Sequence, residues 1–393
     1  MGDQAASQDQ GPGLDAWGTS RHSRLFPGPF LVHADLHNHT MLSDGSGDPA
    51  RAFASMLAAG LDAAALTDHS RWASVFLGRV DAPGWTGIDA RAWATTARMA
   101  EEGDAPGEFA ALRGFEWSSA LFGHMNVWGS ERFTDPLGTL VVSMRPLWRW
   151  LERNAAEGLV GFNHPGTGRL RFGQFRYRPA MAERVVSLEM FNKTHDYLFK
   201  GTDTGRQSPL NQCLNAGWRV GILGVSDEHG TDWGFPEGKG RAGLYVHELT
   251  RAGVLEALAA RRFFATRVKG LRLDAALNGV RMGGTVPHGG GPARFEVDLD
   301  RGEAWHGHSL NVQVLRPGPR MPALAAAADV KVPAPEEPVV AFEARLDPAE
   351  GAWVVVRVTD PAEPPDPRAT GEWATLGRAV AYSSPFWLRP TNG

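Results

Sequence analysis

A single cysteine, Cys213, has no partner for an internal disulfide, so the cross-linked framework of a small secreted scaffold is excluded. Export of a disulfide-free protein is not. Basic residues are in no excess, because 40 Lys and Arg against 44 Asp and Glu give a formal net charge of -4. A long nucleic acid therefore meets no broad positive field. No run approaches the ~20 apolar residues of a membrane-spanning helix, so no membrane partner is expected. The first twenty residues are polar and glycine-rich rather than built around an apolar signal core, and residues 1–29 read as a flexible leader. Cytoplasmic placement is the default, with secretion after removal of a signal peptide left open, as is oligomerisation.

What is present is the composition of a globule, with 42% hydrophobic and 21% charged residues. A length of 393 residues favours two units, or one large barrel with an appendage. From Phe30 to Arg267, short apolar runs alternate with helical stretches, the pattern of βα units around a parallel sheet or barrel. Helices are expected over Asp48–Ala59, with Asp48 as cap and Pro49 opening the first turn, and over Ile88–Glu102, Leu147–Ala156, Leu210–Ala216 and Ala252–Arg261. After Arg267 the text becomes alternating strands with Gly and Pro turns, which predicts an antiparallel β-sandwich over 271–393. Within it, Pro317–Pro338 with its alanine run reads as a long loop.

The chemistry sits where the apolar runs of the first part end. "FLVHADLHNH" closes on His37 and His39, whose alternate spacing on an extended chain points two imidazoles the same way. A lone His-x-His is often incidental. Here it is followed by Asp44, by Asp68 and His69 in "TDH", by Glu116 in "GFEWS", by His124 in "GHMN", by His164 in "NHPG", and by Asp227 and His229 in "SDEHG". Each fragment has a bland alternative: Asp68 and His69 as helix caps, Glu116 paired with Arg113, His164 before a proline turn. Strand carboxyl ends converge on one face in barrels and open α/β sheets, so the set together points to a metal cluster. Mixed imidazole and carboxylate donors suit Zn, Mn or Fe better than Mg or Ca. A carboxylate bridging two ions lets a shared water ionise into a nucleophilic hydroxide. Cys213, in a helix away from any strand end, is expected to be a buried apolar residue.

These motifs, in this order, resemble the PHP family, the polymerase and histidinol phosphatase superfamily of metal-dependent phosphoesterases. The resemblance spans roughly 30–270 and implies a distorted (β/α)7 barrel. It also implies two or three divalent ions: one on His37, His39, Glu116 and Asp227, a second on Glu116, His124 and His164, and a third on Asp44, His69 and His229. Many relatives carry histidine at the position of Asp44, which leaves the third site the most open. Glu116, Asp227 and His229 are the implied catalytic residues. Asp68, Glu189 and Asn192 are expected to support the ligands rather than join them. Nearby loops offer Arg71, Trp72, Trp117, Trp128, Arg169, Arg171 and Lys193 for an anionic or aromatic small-molecule substrate, with Arg71, Trp117, Arg169 and Lys193 the chosen candidates.

The first expectation is hydrolysis of a small phosphomonoester or phosphodiester. "DLHNHTMLSDG", "GFEWSS", "GHMN" and the ending "AYSSPFWL" also resemble the branch of the family that contains carbaryl hydrolase, whose implication is a carbamate, ester or amide substrate. A third reading makes the chain a non-catalytic binding or structural module. His288, His306 and His308 are expected to lie outside the metal cluster.

Overall fold

The computed structural model describes residues 13–70, 87–135, 143–154, 158–166, 168–234 and 238–391. Its first part carries strands β1 (Phe30–Asp35), β2 (Ala63–Leu66), β3 (Ala110–Ser119), β4 (Gly123–Trp128), β5 (Leu159–Phe162), β6 (Val185–Asn192), β7 (His195–Asp196), β8 (Gly221–Val225), β9 (Arg241–Val246) and β10 (Phe263–Thr266). Five helices are interspersed: α1 (Pro49–Ala58), α2 (Ala90–Gly103), α3 (Arg145–Asn154), α4 (Pro209–Asn215) and α5 (Arg251–Ala259). Each matches an expected helix to within a few residues, although residues 155–157, where the third was expected to end, lie outside the described residues. The caps explain the starts. Asp48 accepts from Ala50 N ahead of Pro49, Asp89 from Ala92 N, and Thr250 from Gly253 N, each supplying an acceptor to an otherwise unpaired first-turn donor. Cys213 is buried in α4, as expected.

Strand direction decides where the chemistry collects. β1, β2 and β3 pair in parallel, β4 runs antiparallel to both β3 and β5, and β5, β6 and β8 again pair in parallel. Reversing twice restores the direction, so β1, β2, β3, β5, β6 and β8 share one orientation. Only the start of β4 lies at their carboxyl ends, opposite the end of β3 in the pair Ser118↔His124. At that end β8 and β1 are also stitched together, by Asp227 N donating to His37 O (3.0 Å) and His39 N to Glu228 O (2.8 Å). The architecture is thus mixed α/β around one large sheet rather than uniformly parallel.

The later part supplies β11 (Arg272–Leu277), β12 (Val280–Arg281), β13 (Thr285–His288), β14 (Gly291–Asp300), β15 (Ser309–Arg316), β16 (Ala323–Lys331), β17 (Val340–Leu346), β18 (Trp353–Asp360), β19 (Arg378–Ser383) and β20 (Phe386–Pro390). β12, β11, β14 and β17 form a separate four-stranded sheet, while the others continue the large sheet through β10 pairing with β19. Both sheets bury side chains in one apolar cluster, where Leu273, Phe295 and Val297 meet Val312, Val356 and Phe386, together with Leu31, Tyr245 and Phe264 of the first part.

Two expectations need correction. The stretch read as a loop at 317–338 contains β16, whose backbone pairs with β15 from Ser309↔Lys331 to Arg316↔Ala323. Alanine has little strand preference, and the pairing of this half-exposed strand rests on the backbone ladder. The leader is tied down from residue 13 onward. Arg21 makes two 2.8 Å bonds to Asp62, Thr19 Oγ1 donates to Gly270 O at 2.7 Å, and Arg24 is held by Asp298. Residues 1–12 lie outside the described residues.

Candidate metal centre

Nine side chains meet at the shared strand end. His37 and His39 follow β1, Asp44 lies in the next turn, and His69 follows β2. Glu116 stands on β3, His124 opens β4, His164 follows β5, and Asp227 and His229 follow β8. All nine are the residues that the sequence singled out. Glu116 is wholly buried, with His69 Nδ1 2.7 Å from Oε2 and His37 Nε2, His124 Nδ1 and His164 Nε2 at 3.3, 3.2 and 3.2 Å from Oε1. Asp227 Oδ1 lies 3.2 Å from His39 Nε2 and 3.5 Å from both His37 Nε2 and His229 Nδ1. Asp44 is 3.5 Å from His69 Nε2 and from His229 Nε2.

Among the described residues, donor atoms within 4.8 Å of one another form four groups: His37, His39 and Asp227; His37, Glu116 and His164; His69, Glu116 and His124; and His39, Asp44, His69 and His229. Donors about 2.1 Å from a common ion stand ~3 to 4 Å apart, which is the spacing found here. Some of these donors lack hydrogen-bond partners. His37 and His39 turn ring nitrogens on each other at 3.0 Å, while His39 Nδ1 and Asp227 Oδ1 are buried without a partner in hydrogen-bonding geometry. Lone pairs crowded around common points, and unsatisfied as hydrogen bonds, suit divalent cations. The grouping departs from the expected sets in three ways: His39 also reaches the Asp44 group, Glu116 is absent from the His37, His39 and Asp227 group and meets His37 with His164 instead, and His124 shares Glu116 with His69 rather than with His164.

Charge follows from the crowding. Burial opposes the charged form of His37, but Glu189, Asp227 and Glu116 overcome it and lift its pKa well above the ordinary value. His69 is likewise desolvated, yet Glu116 and Asp44 push it up to about 10. His39 goes the other way, to about 3, because burial and the charge of His69 outweigh the nearby carboxylates. Glu116 is held well below the usual carboxylate range by His124, His69 and His37 despite its burial.

The supporting residues fall as expected. Glu189 accepts from His37 Nδ1 at 2.8 Å, which leaves His37 Nε2 facing the cluster, and from His164 N at 2.6 Å. Asn192 Nδ2 donates to the same Glu189 at 3.0 Å. Asp68 accepts from Thr40 N, Thr40 Oγ1 and Ser43 Oγ, and so braces the turn that carries Asp44. Sequence reasoning missed Asn163, whose Nδ2 donates to Glu116 Oε1 at 2.6 Å and whose Oδ1 accepts from Asn126 N. Its position directly before His164 was the available signal. It also missed Asp35, fully buried under Ser226 and pushed up to about 6 by that burial. Asp227 adopts φ 51°, a left-handed backbone that turns its carboxylate from the strand end.

Among the substrate candidates, Lys193 is half-exposed with Nζ 3.7 Å from Asp227 Oδ2. Arg169 is exposed beyond His164. Trp117 is a correction: it is 2% exposed and packed among apolar residues, because neighbours on a strand face opposite ways and Glu116 takes the inward face. Trp128 is equally buried, donating to Leu36 O, and Arg171 braces the loop after His164 through the carbonyls of Pro165 and Gly166. Arg71 and Trp72 lie outside the described residues. Arg113 donates to Ser130 O and covers the Trp93 ring, so the bland pairing with Glu116 is not made. His288, His306 and His308 join none of the four donor groups.

Solved structures of PHP-like metal-dependent phosphoesterases are among its structural neighbours. A two-domain protein from Bacteroides vulgatus containing a predicted PHP-like metal-dependent phosphoesterase matches over 97% of this chain and 99% of its own, at 16% identity and a TM-score of 0.45. A proposed metal-dependent phosphoesterase from Bifidobacterium adolescentis matches over 52% and 90%, at 14% identity and a TM-score of 0.29. An amidohydrolase from Chromobacterium violaceum, with bound sulfate and no metal, matches over 58% and 96%, at 15% identity and a TM-score of 0.26. No family model and no curated protein sequence matches this chain. Among the described residues no helix is long and apolar enough to cross a membrane.

Proposed function

We propose that this protein is a metal-dependent phosphoesterase acting on a small phosphomonoester or phosphodiester. The observation that carries the reading is Glu116, one buried carboxylate shared by four imidazoles at 2.7 to 3.3 Å, flanked by Asp227 and Asp44 with the remaining histidines. In our reading His37, His39, Asp44, His69, Glu116, His124, His164, Asp227 and His229 hold two or three Zn, Mn or Fe ions. When bound, such ions supply Lewis acidity and an acidified water, and their charge complements a phosphoryl group in transfer. Glu116 is the common support and Asp227 orients the donors around it; when two ions are bound and the Asp44 group is left free, His229, partly exposed beside Asp44, can give a proton to a leaving-group oxygen. Lys193, beside Asp227, is the proposed contact for the scissile anion, and Arg169, beyond His164, the proposed contact for a part of the substrate farther from the cluster.

We read 30–270 as the metal-bearing unit, barrel-like at its strand ends, and 271–393 as a sandwich-like unit that contributes no ligand. The test is metal analysis together with hydrolysis of nitrophenyl phosphate, bis-nitrophenyl phosphate, an aryl carbamate and an aryl ester. More than one equivalent of transition metal, with phosphate turnover abolished by chelator, is the expected result. Carbamate or ester turnover without phosphate turnover overturns the substrate class, and full activity in chelator overturns the metal.

A further inference from the structure

Beyond His164 the chain borders a polar cavity of about 360 Å3. It is lined by Arg169, Arg171 and Arg206 together with Gly168, Gln174, Gln207 and Gln212. Among the described residues none of these arginines has a carboxylate within ion-pairing distance. Arg171 is 5% exposed, and its guanidinium is held by neutral acceptors, Gln207 O at 3.2 Å and Gln212 Oε1 at 3.0 Å among them. Arg206 Nη1 is buried without a hydrogen-bond partner. A fourth cation stands close, since a Cβ at Gly205 would lie 3.7 Å from Arg320 Nη1. Gathering guanidinium groups without a counter-charge around a buried one, Arg171, is unfavourable unless an anion completes the set, and guanidinium forks match the oxygens of phosphate or carboxylate. Burial and the neighbouring Arg206 push Arg171 down to about 10, the mark of the missing counter-charge.

We propose that this cavity is an oxyanion subsite that holds a second anionic group of the substrate while the scissile ester lies at the Glu116 cluster. The assignment rests on the phosphoesterase reading and deepens it, by making the substrate doubly anionic. Reach is compatible. Gly168 lines the cavity and follows His164 by four residues, which sets a separation of at most about 15 Å along the chain. Arg171 fixes the loop between the two sites by holding its Pro165 and Gly166 carbonyls.

The test compares α,ω-alkanediol bisphosphates of increasing length with the matching monophosphates on metal-loaded protein. In the wild type one chain length should give a maximum in kcat/KM that the monophosphates lack. In Arg206→Gln the ratio of bisphosphate to monophosphate kcat/KM should fall about 10- to 100-fold, the usual cost of losing a charge-assisted bond. Arg169→Gln, at an exposed position that folding does not need, should lower the same ratio. An unchanged ratio in both variants overturns the proposal. A free anion as the true occupant would show as loss of one bound equivalent of inorganic phosphate by calorimetry in Arg206→Gln with the ratio unchanged, which also overturns the substrate assignment. If the wild type hydrolyses no phosphate ester, the functional reading has failed. The cavity is then judged by calorimetry alone, where equal phosphate binding by wild type and Arg206→Gln removes it as an anion site.

Discussion

Glu116 faces four imidazoles at 2.7 to 3.3 Å, so the loss of its charge is felt by more than one ion. Glu116→Gln keeps the shape and removes the charge; activity should fall more than about 100-fold, with at least one metal equivalent lost. Near wild-type turnover in that variant, measured beside metal content, would refute its central role. Glu189 accepts from His37, from the His164 backbone and from Asn192, and Glu189→Gln should weaken metal affinity about 10- to 100-fold by freeing the His37 ring. Protonation gives a second handle. In the ion-free cluster His69 is pushed up to about 10 and His37 well above its ordinary value, so both are protonated at neutral pH. An ion binds only the deprotonated imidazole, so loading must expel these protons, and affinity should weaken as pH falls. A pH-stat during metal titration should record acid release, and its absence at pH 7 would contradict the raised values.

At the scale of elements, the turn after β1 depends on Asp68, which takes three donors from Thr40 and Ser43. Asp68→Ala should loosen Asp44, so that metal analysis finds one equivalent fewer while the ions nearest Glu116 and Asp227 remain. The strand-end ligands were legible because each closes a local apolar run, and one direction shared by six strands brings such ends together. What was not legible is pairing between distant segments. Nothing local distinguishes β4 as antiparallel, or marks β16 as a partner for β15, or shows that Arg21 will find Asp62. Trp117 is different, since alternation along β3 with Glu116 inward already excluded it from the cleft. Trp117→Ala should cost about 3–5 kcal/mol of stability by leaving a cavity, with KM unchanged in the folded fraction. A raised KM at unchanged melting temperature would return Trp117 to the substrate.

At the scale of the whole molecule, the β10 to β19 pairing joins the metal-bearing part to the C-terminal strands. Tyr382 donates to Asp196 at 2.9 Å, and Trp353, Trp387 and Tyr382 pack in the same apolar cluster as Phe162, Phe191 and Trp218. A chain cut after residue 270 leaves one edge of β10 unpaired and exposes this apolar surface. The expected outcome is a fragment that aggregates, or melts well below the intact protein, as followed by circular dichroism and sedimentation. A soluble fragment with unchanged melting would show that the two parts are energetically independent.

The solitary Cys213 gives the molecule a built-in reporter. Its thiol is fully buried in α4 beside Gln212, whose side chain holds Arg171, and burial raises its pKa well above the ordinary value. A thiol reagent can therefore react only when α4 opens, and with one sulfhydryl in the chain the labelling rate under native conditions counts those openings without ambiguity of site. Whatever tightens α4, including an anion seated against Arg171 and Arg206, must slow that clock.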